Sequence, residues 1–125
     1  NPSNPTLTGT YDTPSVAWDV SVNGNYAYVA DENSGLQIID ISNPSNPTLT
    51  GTYDTPSYAL SVSVNGNYAY VADEGSGLQI IDISNPFAPT LTGTYDTPDF
   101  AYGVSVNGKN IPAHPPRRSA YLGPV

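Results

Sequence analysis

The sequence predicts an all-β protein: β-propeller blades of four antiparallel strands, about two and a half to three blades per chain, in a ring closed by homo-oligomerisation. Three observations carry this expectation. The first is a 42-residue repeat. Asn1–Ser42 and Asn43–Ser84 align without a gap and differ only at Val16/Tyr58, Trp18/Leu60, Asp19/Ser61 and Asn33/Gly75. The second is composition: the chain is rich in Tyr, Thr, Val and Ile alongside Asn, Gly and Pro, which is strand-forming and turn-forming chemistry with little helical character. The third is that each repeat divides into four short strand-like runs, and a period of about 40–45 residues with four strands per unit is propeller spacing.

The elements follow in order. Ala17–Val22 (AWDVSV) is a strand that ends at Asn23-Gly24-Asn25. Asn-Gly between apolar runs signals a hairpin, because both residues tolerate positive φ at little cost. Tyr26–Ala30 (YAYVA) comes next, then a turn at Asp31–Gly35, then Leu36–Ile41 (LQIIDI). A Pro-Asn connection over Ser42–Pro47 leads to the last strand, Thr48–Tyr53 (TLTGTY), which Asp54-Thr55-Pro56 closes. A third copy begins at Asn85 and holds register through Gly108. The chain thus divides into a repeat region, 1–108 (1–42, 43–84 and a partial 85–108), and a non-repeat tail, 109–125.

That tail holds all three basic residues (Lys109, Arg117, Arg118), the sole His (His114) and four of the thirteen prolines. So sharp a change inside a near-perfect repeat is what a shifted reading frame or a join to foreign sequence produces. Pro112, Pro115 and Pro116 remove ladder donors where a central strand belongs, so a polyproline-like or disordered tail is one expectation. The other is that Arg118–Leu122 (RSAYL) serves as an edge strand while its basic neighbours pair with acids. Pro112 to Pro115 also has the PxxP spacing of a peptide ligand, by pattern alone.

Eleven acidic residues against three basic give a net charge of −8. Nucleic acid and anionic membrane are excluded as partners, since both need a basic surface to replace counterions. Cations and neutral ligands remain open. There is no Cys, which removes disulfides and thiolate chemistry without fixing a compartment. The chain opens at Asn1 with no initiator Met and no charged-then-apolar leader, so a processed or trimmed start is expected.

The string GNYAYVADENSGLQIIDISNPSNPTLTGTY at Gly24–Tyr53, repeated with few changes at Gly66–Tyr95, resembles an LVIVD repeat, a propeller-blade family of bacteria and archaea. The resemblance runs from the N-terminus to about Gly108. It implies four-stranded blades and a secreted or cell-surface setting. It implies no reaction, because the family is defined by its blade. In blade order AWDVSV is innermost and TLTGTY outermost. The chain then reads as one outer strand, two full four-strand sets, one further inner strand and the tail. Pro5–Tyr11 would supply the outer strand of a blade whose inner strand, Ala101–Val106, comes from another copy.

Blades bury their faces only against neighbours, so an open row leaves two end faces exposed. If each exposes on the order of 500 Å² of apolar surface, burying it contributes roughly 12 kcal/mol at about 25 cal/mol/Å². Association costs about 4–15 kcal/mol per partner, so closure is favoured. The expected partner is the chain itself. A homodimer of about six blades is preferred, with a homotrimer next.

Three sets of carboxylates read as structural. Asp12, Asp54 and Asp96 fall in Tyr-Asp-Thr-Pro, where the side chain is expected to accept from backbone N–H groups ahead of the proline. Asp40 and Asp82 are expected to bond backbone at the blade edge. Asp31-Glu32 and Asp73-Glu74 read as a solvated hairpin loop, with a Ca²⁺ site as the sharper alternative. The positions where repeats differ carry more information: Ser15/Ser57/Asp99, Val16/Tyr58/Phe100, Trp18/Leu60/Tyr102 and Asp19/Ser61/Gly103. They gather at the start of the inner strand, hence at a rim of the central channel. Trp18, Tyr58, Phe100, Tyr102, Asp19 and Asp99 are therefore the candidate ligand-binding residues, for a sugar, a small polar ligand or a cation. Packing between blades is the plain alternative for the aromatics.

The leading functional expectation is a homo-oligomeric binding or scaffold module for a small ligand or protein at the channel rim. A nucleophilic triad is not available. A metal-dependent hydrolase of esters, phosphoesters or lactones is the enzymatic alternative, with His114, Asp19 and Asp99 of several subunits as candidate catalytic and metal residues around Zn²⁺ or Ca²⁺. It rests on fold analogy. A third reading is a repeat fragment without an evolved function.

Overall fold

Strand-forming residues bounded by tight turns yield two four-stranded antiparallel sheets, each in simple sequential order. The computed structural model describes residues 4–106 and 119–122. In the first sheet β1 is Asp19–Asn23, β2 Tyr26–Ala30, β3 Leu36–Asp40 and β4 Thr48–Tyr53. The second repeats it, with β5 Ser61–Asn65, β6 Tyr68–Ala72, β7 Leu78–Asp82 and β8 Thr90–Tyr95. β9, Gly103–Val106, opens a third unit and pairs in parallel with β10, Ser119–Leu122. The expected edge strand over Arg118–Leu122 is present as β10, but it joins the inner strand where the repeat would place an antiparallel one. Lys109, His114, Arg117 and the Pro112–Pro115 motif lie outside the described residues, as does Arg118. The segment expected as an outer strand, Pro5–Tyr11, forms none, yet Gly9 lies against the Pro44 carbonyl.

Each β1–β2 type hairpin turns on two residues. Asn23 pairs with Tyr26 and Gly24 has φ 62°, the only positive value in that turn. Positive φ at the first central position alone is a type II′ turn, which favours Gly there. The turn therefore sits one residue later than Asn-Gly at its centre implies.

The β3–β4 ladder steps between Ile38 and Ile39, which face Gly51 and Leu49. Thr50 is the extra residue of a bulge, a device that bends an outer strand. Buried Gln37 ties this edge together, its Nε2 donating to Ser34 O and Thr52 Oγ1, both at 2.7 Å.

The main core lies between the sheets. Tyr28, Ala30, Leu36 and Ile38 of the first meet Val62, Ala69, Val71 and Ile81 of the second. The outward face of the first sheet, Ala27, Val29 and Ile39, packs on Tyr11 and Ile41. The far face of the second, Tyr70, Leu78 and Ile80, packs on Val104 and Val106 of β9. Among the described residues each outer face is thus covered by a single strand-length segment where a whole sheet covers the inner ones.

Candidate functional site

Three inner strands, β1, β5 and β9, run side by side and are joined by side chains rather than by a ladder. Asp19 Oδ2 accepts from Ser61 Oγ at 3.0 Å and Val62 N at 3.1 Å. Ser61 Oγ in turn accepts from Val104 N at 3.1 Å. Below this, Ser21 Oγ accepts from Val64 N and Ser63 Oγ from Val106 N, both at 3.2 Å. Outward N–H groups of a strand need acceptors once neighbours exclude water, and these short side chains supply them. Asp19 is therefore a bridge between sheets, its other oxygen accepting from Val20 N.

The turns between second and third strands also reach across. Glu32 forms an antiparallel bridge with Ala59, and Glu74 with Ala101. This placement corrects the solvated-loop expectation. Asp31 and Asp73 are fully buried, at 0 % exposure, and accept from Ser15 N at 3.1 Å and Ser57 N at 2.9 Å. They hold the Asp-Thr-Pro turns, whereas Asp12, Asp54 and Asp96 in those turns are exposed. Burial pushes the Asp73 carboxyl above its ordinary range; the Thr55 hydroxyl and Ser57 N–H pull it back, and Glu74 and Asp54 add to the rise. The Thr55 hydroxyl is 3.5 Å from Ser57 O, long for a hydrogen bond, so the carboxylate beside it is the better acceptor. Asp40 and Asp82 behave as expected, Oδ1 of each accepting from both N and Oγ of Ser42 or Ser84.

Above the bridges lies a groove of about 390 Å³ lined by Trp18, Glu32, Tyr58, Leu60, Glu74 and Tyr102. The sequence-predicted Trp18, Tyr58 and Tyr102 converge here. Trp18 is 57 % and Tyr58 44 % exposed. The indole N–H of Trp18 donates to Glu32 Oε2 at 3.0 Å. Phe100 stands behind, edge-on to Tyr102 at 6.2 Å between centroids and 3.8 Å from the place a Gly75 Cβ would take. Asp99 is exposed and its Oδ1 accepts from Phe100 N at 2.8 Å, apart from the groove. Glu32 and Glu74, read from the sequence as loop residues with a Ca²⁺ alternative, are the groove residues that sequence reasoning did not bring to the rim. Their signal was the turn itself: both occupy the left-handed region, at φ 45° and 41°, where Gly or Asn is the easy choice.

Among the described residues no three or more His, Cys, Asp or Glu side chains come together as metal ligands, and His114 lies outside them. A second cavity, about 370 Å³, is lined by Gly9–Tyr11 together with Ala27, Val29 and Ile39. It is an apolar seam between stacked elements.

The LVIVD repeat model matches residues 1–13, 15–55 and 56–97. The chain belongs to the LVIVD-repeat family. The two long matches coincide with β1–β4 and β5–β8, so each LVIVD unit is one four-stranded blade. The short match contains the segment that covers the first LVIVD blade. No curated relative matches the chain.

Proposed function

We propose that copies of this chain associate into a closed propeller that serves as a binding or scaffold module, taking a small ligand or protein partner in the groove at the channel rim. One observation carries the reading: of the four differences between the two repeats, three fall at or beside the groove, and the fourth, Asp19/Ser61, lies in the bridge beneath it. Trp18, Tyr58 and Leu60 line it, and Gly75 sits beside Phe100. The apolar residues packed between blades, such as Ala27/Ala69, Val29/Val71 and Ile39/Ile81, are the same in both copies. A scaffold kept constant while its rim varies is the pattern of a binding module.

Self-association is supported by the end faces. The surface of Ala27, Val29 and Ile39 is chemically the surface of Ala69, Val71 and Ile81, which the chain already buries against Tyr28 and Ile38. Light scattering on a sizing column tests this. A single species at two or three times 13.1 kDa that resists dilution is expected. A monomer at every concentration refutes the closed ring.

A further inference from the structure

We infer that the rim groove takes a small organic cation, an alkylammonium group enclosed by Trp18, Tyr58 and Tyr102 and neutralised by Glu32 and Glu74. This rests on the binding reading above and names its ligand class. The walls are aromatic and the polar groups are carboxylates. A ring face attracts a cation within about 6 Å of its centroid, Trp most strongly.

Charge points the same way. All eleven acidic residues lie within 4–106, and Lys109, Arg117 and Arg118 all lie beyond that stretch. No basic side chain among the described residues is available to neutralise Glu32 or Glu74. The Trp18 hydrogen bond fixes one Glu32 oxygen at the groove and ties indole and carboxylate into one wall. Ser57 Oγ lies 3.4 Å from Glu74 Oε1. Both glutamates hold a left-handed backbone that other residues adopt more easily. An uncommon conformation kept at a groove points to a role for the side chain.

Competing ligand classes fit less well. A hard ion such as Ca²⁺ requires about 6–8 oxygens at short range, and two glutamates among aromatics and Leu60 do not supply them. A neutral sugar would stack on the rings, but it would displace water from two carboxylates without offsetting their charge. A weakly hydrated alkylammonium offsets the charge and uses the rings.

Trp18 is the only tryptophan, so its fluorescence reads the site directly. The full chain is titrated with choline chloride at constant ionic strength, beside the uncharged isostere 3,3-dimethylbutan-1-ol and cellobiose. Saturable quenching by choline at roughly millimolar concentration is expected, with the isostere about five-fold weaker or more. Glu32→Gln, Glu74→Gln and Tyr58→Leu should each weaken choline about two- to five-fold, while the remote Asp12→Asn should not. Equal binding of choline and its isostere would overturn the cation and leave an apolar rim site. Saturation by cellobiose alone would replace the ligand class and keep the site. No saturation by any of the three would overturn the cation proposal, while the light-scattering test above decides the ring separately.

Discussion

Gly51→Ala probes how closely the two sheets are stacked. Gly51 sits at the bulge of β4, opposite Ile38. A Cβ built there would overlap the carbonyl oxygen of Pro86, with Pro86 C and Pro89 Cδ each 3.3 Å away. These atoms belong to the connection between β7 and β8, so backbone opposes backbone and no flexible side chain can yield. Overpacking of this kind costs about 1–3 kcal/mol. Replacing Gly by Ala within a strand returns about 0.5–1 kcal/mol. The net expected loss is about 0–2.5 kcal/mol, on the order of 5–10 °C in Tm near the middle of that range.

The repeat supplies its own control. Gly93 is the same residue in β8, and a Cβ there meets nothing within 4 Å. In an isolated chain, where no blade follows β8, Gly93→Ala should therefore be neutral or stabilise by up to about 1 kcal/mol. Thermal and urea melts of both variants, followed by circular dichroism, measure the difference. If Gly51→Ala is as stable as Gly93→Ala, the close approach of the sheets is wrong. If both are destabilised, something covers the second bulge as Pro86 covers the first, which is the result a following blade from a second copy would give.

The remaining predictions are brief. The Asp73 carboxyl titrates higher in the fold than unfolded, so its favourable contribution is complete below the unfolded pKa and lost as pH rises through the folded one. Tm should therefore climb on acidification from pH 7 to about 4, Asp73→Asn should flatten that slope, and a falling Tm in the parent would contradict it. Asp40 and Asp82 are lowered by bonds from Ser42 and Ser84, so their contribution is lost as pH falls below 3.8 through their folded values, and the trend should reverse there. Asp19→Ala removes the acceptor of Ser61 and Val62 and should cost about 1–3 kcal/mol in urea melts; an unchanged midpoint would remove Asp19 from the inter-blade bridge. Chelator-treated protein should keep its Tm when Zn²⁺ or Ca²⁺ is restored, whereas a rise of several degrees in proportion to metal would support the hydrolytic alternative.

Strands and blades were legible because the repeat aligns equivalent residues and its turns are local. YAYVA and TLTGTY fall where the pattern puts them, and β1 starts two residues later than expected because Asp31 draws the Ser15–Ala17 approach away from the ladder. The site was half legible. Variation among repeats marked Trp18, Tyr58 and Tyr102, but Asp31-Glu32 reads locally as one polar loop. Its division into a buried and a groove-facing residue depends on Ala59, which lies in the next repeat and is brought over by stacking. Asp19 misled for the same reason: at a varied position beside Trp18, its carboxylate serves Ser61 and Val62 of the neighbouring sheet.

Repetition also constrains how copies of this chain can meet. Within the chain Val62 and Val64 pack beside Tyr28 and Ile38, and on the second sheet Val104 and Val106 of β9 take the equivalent seat beside Tyr70 and Ile80. A second copy therefore cannot dock its first sheet directly onto the second sheet of its neighbour, because β9 already occupies the inner part of that surface. In the ring proposed above, closure would pass through a composite blade, with β9 of one copy innermost and the Gly9–Tyr11 segment of the next outermost. Contacts of this kind are head-to-tail, and they end in a ring only when the rotation per chain closes.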